Sequence, residues 1–192
     1  MRRALAVLVL LCLGAAPPRP GLAQGSQLPR PSDVVKARAY VSLEPVPRGR
    51  AFEVAVVAET RPGFHINAHK VTGEYLIPTA LEAQLPGGFR ALETLYPPGV
   101  LRKFEFSPEK LRVYEGRFTL RMKLEAAPHA PLGPHQISLW VHYQACNQEA
   151  CLPPAKILVT AALEIAPPGT PARAAHPDIF AAAPKSKASP PR

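Results

Sequence analysis

Apolar and polar side chains alternate with a period of two along stretch after stretch of this chain, and prolines and glycines cut each stretch short. Val35, Ala37, Ala39, Val41 and Leu43 alternate with Lys36, Arg38, Tyr40 and Ser42, and Phe52, Val54, Val56 and Ala58 resume the period after Pro47-Arg48-Gly49-Arg50. Leu81, Ala83 and Leu85 repeat it, then Phe118, Leu120, Met122 and Leu124, then Ile137, Leu139, Val141 and Tyr143 with Trp140 on the opposite face. Residues 156 to 165 supply a last strand. Successive side chains on a strand point to opposite faces, so each run carries one apolar face that has to be covered. With 25 prolines among 192 residues and no amphipathic helical period, the expectation is an all-β fold. Its form is an antiparallel β-sandwich of two packed sheets over residues 34–166.

The ends read differently. Met1-Arg2-Arg3, an apolar run from Ala4 to Ala16 and the small-residue site Gly21-Leu22-Ala23 have the layout of a secretory signal peptide, so residues 1–23 are expected to be removed and Cys12 with them. Residues 24–33 are a Pro/Ser/Gly leader, and residues 167–192 a Pro/Ala-rich tail too poor in apolar bulk to fold, expected to be disordered. The formal charge of +9 overstates the domain. Without the signal peptide's Arg2, Arg3 and Arg19 and the tail's surplus of three, about +3 remains, ordinary for a soluble fold. Basic residues are scattered rather than clustered with stacking aromatics, so nucleic acid is not an expected partner. The expectation is a protein exported from the cytoplasm and soluble after cleavage.

Between the strands lie irregular pieces. Gly63-Phe64-His65-Ile66-Asn67 reads as a short extended segment, and Pro78 in Tyr75-Leu76-Ile77-Pro78-Thr79 belongs at an edge or bulge. Tyr96 to Pro108 carries prolines that bar it from a central strand and is read as a loop with exposed aromatics.

Cys146 and Cys151 remain in the mature chain, four residues apart, on the segment joining the strand that ends at Tyr143 to the last strand. A pair so placed can close a small ring. The loop-entropy relation gives such a ring only about 2 kcal/mol, and a domain of this size buries its own core without a staple. From the residues alone, redox exchange and permanent stapling in a non-enzymatic binding module stand level. A third reading is a metal site built from His65, His69, Cys146 and Cys151, whose spacings zinc or copper tolerates but which lacks the helix that usually presents paired histidines.

The motifs Gly63-Phe64-His65-Ile66-Asn67 with Leu76-Ile77-Pro78-Thr79, Pro98-Gly99-Val100 to Glu105-Phe106 leading into Val113-Tyr114, and Tyr143-Gln144-Ala145-Cys146 to Cys151-Leu152-Pro153-Pro154 resemble the N-terminal periplasmic domain of the thiol:disulfide interchange protein DsbD. The resemblance implies an immunoglobulin-like sandwich in which Cys146 and Cys151 cycle between dithiol and disulfide. It makes Cys151 the residue bonding to partners and Cys146 the resolving one. It implies a cap over the pair at Phe106, with Phe104 as the alternative, and Glu105, His65, Asn67 and Tyr143 as neighbours. Where the family carries aromatic hydroxyls beside the pair, this chain has His65 and Asn67. The implied partners are thioredoxin-like redox proteins and a membrane electron-transfer protein acting in trans. No cofactor and no metal are implied.

Overall fold

The computed structural model describes residues 28–73 and 75–181. The expected signal peptide, residues 24–27 of the leader and residues 182–192 of the tail lie outside the described residues. The strands are β1 (Val35–Val41), β2 (Leu43–Glu44), β3 (Val46–Pro47), β4 (Ala51–Thr60), β5 (His65–Asn67), β6 (Ala80–Gln84) and β7 (Phe89–Leu95). They continue with β8 (Val100–Arg102), β9 (Leu111–Tyr114), β10 (Arg117–Ala126), β11 (Gly133–Tyr143), β12 (Ala145–Cys146), β13 (Ala155–Ala166) and β14 (Arg173–Ala174).

Two four-stranded sheets form the body. One has the order β1-β4-β10-β7 and is antiparallel throughout; the other has the order β3-β13-β11-β6, antiparallel except where β3 runs parallel to β13. Their inner faces are the period-two runs of the sequence. Val54, Val56, Leu120 and Leu124 meet Ile137, Leu139, Val141 and Ile165 in one continuous core. Trp140, in between, faces outward with the Lys156 ammonium 4.7 Å above its ring. The arrangement is the two-sheet sandwich expected from the patterning, in the immunoglobulin-like form that the resemblance implies.

A third sheet, β12-β5-β9-β8, caps one end and carries the cysteine segment. Its edge strand β8 comes out of the segment read as a loop. The prolines, Pro97, Pro98 and Pro108, fall on either side of it, and only three residues pair with β9. Gly99 makes this approach possible: a Cβ there would stand 2.6 Å from Arg112 Cγ, 2.7 Å from Ala68 Cβ and 3.0 Å from the Val113 carbonyl oxygen.

Two expectations need correction. The tail does not leave the domain at 167. Ala175 donates to the Ser42 carbonyl at 2.9 Å, β14 pairs with β2, the His176 ring meets Tyr40 edge-on at 4.9 Å, and the Phe180 carbonyl accepts from Arg121 at 3.3 Å. The backbone of this segment finds partners on β2, which composition does not reveal. The aromatics of the 96–108 segment are also not all exposed: Phe104 is buried in a small satellite core with Leu76, Leu111 and Val113.

The inward assignment is testable on β11 and β13. Leu139→Ala, at a fully buried position, is expected to lower the unfolding free energy by about 2–5 kcal/mol in urea. Leu158→Ala, half exposed, is expected to change it by about 0.5 kcal/mol or less. Equal losses would reject the facing of these strands.

Candidate functional site

The cysteine segment is built as a tight return between β11 and β13. After Tyr143 the chain turns so that Ala145 pairs with Ile66 and Cys146 with His65, and Cys151 comes back opposite Cys146 as an isolated antiparallel bridge. The two cysteines form a disulfide with their Cα atoms 3.9 Å apart. Hydrogen bonds close the turn on both sides of the sulfurs. Outside, Leu152 N–H donates to the Ala145 carbonyl at 2.8 Å; inside, Asn147 N–H donates to the Ala150 carbonyl at 2.9 Å. The Asn147 side chain accepts from the N–H groups of Glu149 and Ala150 at 2.9 and 2.8 Å, an Asx turn. The cysteines are thus held face to face by contacts that do not include the bond between them.

Their exposure differs sharply. Cys146, paired with His65 of β5, is 1% exposed, whereas Cys151 is exposed. An attacking thiolate has to approach in line with the sulfur–sulfur bond, so an approach from solvent reaches Cys151 and expels Cys146.

His65 lies directly across from Cys146 in the β5–β12 pair, and opposed residues of an antiparallel pair put their side chains on one face. Its ring stacks on Phe104 at 4.0 Å between centroids, and Phe104 stacks on Phe106 at 5.4 Å. Phe104 is 3% exposed and Phe106 37%. The inner ring of this pile is therefore Phe104, with Phe106 outside it. The loop that presents them is tied at its ends: the Lys103 ammonium donates to the Ser107 and Pro108 carbonyls at 2.6 and 2.7 Å, and Arg102 pairs with Glu115. Burial lowers the pKa of His65 to about 4, the Glu115 charge opposing it, and its Nε2 has no hydrogen-bond partner.

Asn67 is fully buried and does mechanical work. Its amide N–H donates to the Ile77 carbonyl at 3.1 Å and reaches Gln144 Oε1 at 3.5 Å, while Gln144 Nε2 donates to the Leu152 carbonyl at 3.3 Å. This chain of bonds fastens the cysteine turn to β5. Tyr143 points elsewhere: its hydroxyl donates to the Pro31 carbonyl at 2.9 Å, and burial, helped by the Asp33 charge, pushes its pKa up to about 12. Glu105 is exposed beside Phe104. His69 is engaged away from the sulfurs, with its Nδ1 donating to the Thr79 carbonyl at 3.0 Å and its ring flat on Tyr96 at 3.6 Å. Among the described residues no three metal-ligating side chains converge, and both sulfurs are engaged in the disulfide.

Gln144, Asn147 and Lys103 contribute to the site without having been singled out from the sequence. Only Asn147 had a legible signal, as an Asn followed by two residues whose N–H groups it can accept from. The other two act on backbone carbonyls brought near by the fold.

The chain matches the family described as the N-terminal part of the thiol:disulfide interchange protein DsbD over residues 32–163. No curated protein matches it. Among solved structures, the crystal structure of the N-terminal periplasmic domain of ScsB from Proteus mirabilis is similar, with a TM-score of 0.48 and 11% identity over 69% of this chain and 48% of that one. The chain thus spans about half the length of that structure.

The buried histidine gives a signed pH dependence. The native ring stays neutral to about pH 4, whereas an unfolded histidine titrates near 6.5. Between these values the unfolded chain binds the extra proton, so stability falls as pH drops through that window, by up to about 3 kcal/mol from this group. Urea midpoints at pH 7 and 4.5 check it: His65→Phe, which keeps a ring on Phe104, is expected to lose less stability on acidification than the wild type. Equal losses would show that His65 does not carry the effect.

Proposed function

This chain belongs to the family of DsbD N-terminal domains, and we propose that it relays reducing equivalents in the periplasm through reversible exchange at Cys146 and Cys151. The partners on this reading are a thioredoxin-like donor, supplied by a membrane electron-transfer protein, and oxidised periplasmic proteins as acceptors. The observation that carries the proposal is the asymmetry of the pair inside a turn that other bonds hold closed.

In the loading step a donor thiolate attacks Cys151 sulfur, a new intermolecular disulfide forms, and Cys146 leaves as the thiolate. The donor's second thiolate attacks its own sulfur in that bond and frees Cys151, so two electrons have passed and both cysteines are thiols after protonation. Unloading runs the same steps outward: Cys151 attacks the acceptor's disulfide and Cys146 resolves the adduct. Neither half requires the turn to open, because the Ala145–Leu152 and Asn147–Ala150 hydrogen bonds close it through groups other than the sulfurs.

Phe104 and Phe106 are the cap on this reading, Phe104 as the inner plate over His65 and Phe106 as the part a partner displaces first. His65, neutral at pH 7, is a proton acceptor beside Cys146 rather than a fixed cation. Asn67 positions the turn through Gln144, Glu105 rides on the cap's outer side, and Tyr143 anchors the strand that delivers Cys146.

The decisive experiment mixes the oxidised protein with a reduced thioredoxin-like protein lacking its resolving cysteine and maps the adduct. The wild type is expected to be captured through Cys151 and Cys151→Ser to form nothing, while with the reduced protein and an oxidised acceptor Cys146→Ser accumulates the adduct. A disulfide that stays closed to such a donor in the folded protein would leave only a staple. Phe106→Ala is expected to quicken reaction of the reduced pair with small oxidants several-fold, with little change in stability because Phe106 is already part exposed. An unchanged rate would remove its role as a cap.

A further inference from the structure

Beside the disulfide lies a cleft of about 200 Å³ that the relay chemistry does not use. It is lined by His65 and Phe104, by Arg102, Lys103 and Glu115 at the root of the aromatic loop, and by Gln148 from the cysteine turn itself. Resting on the relay reading above, we propose that this cleft is a specificity subsite that takes the carboxylate of an Asp or Glu side chain flanking the partner's cysteine.

The charge balance of the lining favours an anion. Arg102 and Glu115 neutralise one another. The Lys103 ammonium faces no carboxylate among the described residues; it spends two of its three N–H donors on the Ser107 and Pro108 carbonyls and keeps one free. His65 lines the cleft at 4% exposure, and its Nε2, closed to solvent, has no partner at all. A buried polar atom left unpaired is costly, and a carboxylate oxygen that enters as the Phe104 ring gives way relieves that cost when this nitrogen carries the ring proton. Gln148 adds an amide from the turn that a partner must touch to reach Cys151.

Size decides what kind of anion. Pockets that bury whole small molecules run to roughly 300–1,000 Å³, and this cleft is smaller. One acidic side chain fits, delivered while its neighbouring cysteine meets Cys151. Such a contact acts on which disulfides dock, so it selects partners and leaves the exchange chemistry as it is.

The test uses the reduced protein and short peptides whose single cysteine is activated as a 2-thiopyridyl disulfide, with Glu, its isostere Gln, or Lys beside the cysteine. Thiopyridone release gives the rate. The Glu peptide is expected to react roughly fivefold faster than the Gln peptide at low salt, the size of one partly exposed ion pair, and the Lys peptide to be slowest. The Glu-to-Gln ratio is expected to fall to about one in Lys103→Gln. Because the readout is a ratio, any loosening of the aromatic loop in that variant cancels.

Rapid exchange with a wild-type ratio of one defeats the subsite and leaves the relay standing. A ratio that survives in Lys103→Gln defeats it too, since the preference then comes from the overall positive charge. If glutathione disulfide, compared with uncharged hydroxyethyl disulfide, shows the larger Lys103-dependent gain, the occupant is a free small molecule and the side-chain proposal falls. Failure of every disulfide to exchange with the reduced protein sinks the relay reading itself.

Discussion

Two apolar sheet faces cannot each stand in water, and their closure on one another fixes where everything else in this protein can sit. Val54, Val56, Leu120 and Leu124 press against Ile137, Leu139, Val141 and Ile165, and at roughly 1.5–3 kcal/mol for each such side chain this contact outweighs any single cross-link the chain could form. Strand β11 is thereby immobilised along its length. The turn at its end, with Cys146 and Cys151, inherits a rigid base, so the disulfide has no folding task that its reduction would undo.

The same closure explains why the cysteine turn rests on a separate small sheet. Beyond Tyr143 the pairing of β11 with β13 ends, and β12 has to find backbone partners elsewhere; β5 supplies them, and Asn67 and Gln144 bolt the two together. Burial follows from that pairing. Cys146, paired with β5, is buried while Cys151, bonded only through its sulfur and an isolated bridge, stays outside. Asymmetry of the pair is therefore a consequence of which strand lies next to the turn, and on the proposed relay it gives the two residues different roles.

How much of this the chain announced depends on the range of the forces involved. The alternating runs were legible because burial acts residue by residue with the period of the strand, and Phe52 through Tyr143 fell on the expected faces. The cysteine turn was legible because a return between two paired strands is local. The aromatic loop was harder: the resemblance put the cap at Phe106 with Phe104 as the alternative, and Phe104 is the ring against His65, since Leu76, Leu111 and Val113 offer it a pocket made by distant strands. Residues 167–181 were misread for a similar reason, because their partners are backbone groups of β2 and a ring on β1. Composition speaks to apolar bulk and is silent on hydrogen bonds to a far strand.

The stacked rings also set a scale for gating in the proposed relay. An aromatic pair adds about 0.5–1.5 kcal/mol beyond its burial, and lifting a buried phenylalanine into water costs about 1.5–3 kcal/mol more. On that reading opening both plates costs enough to shield His65 and the buried Cys146 side of the pair from small reagents by two to three orders of magnitude or so, at 1.4 kcal/mol per factor of ten, while Cys151 stays exposed. A docking protein recovers that cost readily, because even a small interface buries several side chains. The order of opening follows from exposure: Phe106, already in contact with solvent, moves first, and Phe104 follows only when something else covers His65. A cap built of two unequal plates thus separates partners from small molecules by how much surface they bring, and the buried, neutral His65 beneath it is the last group to be uncovered.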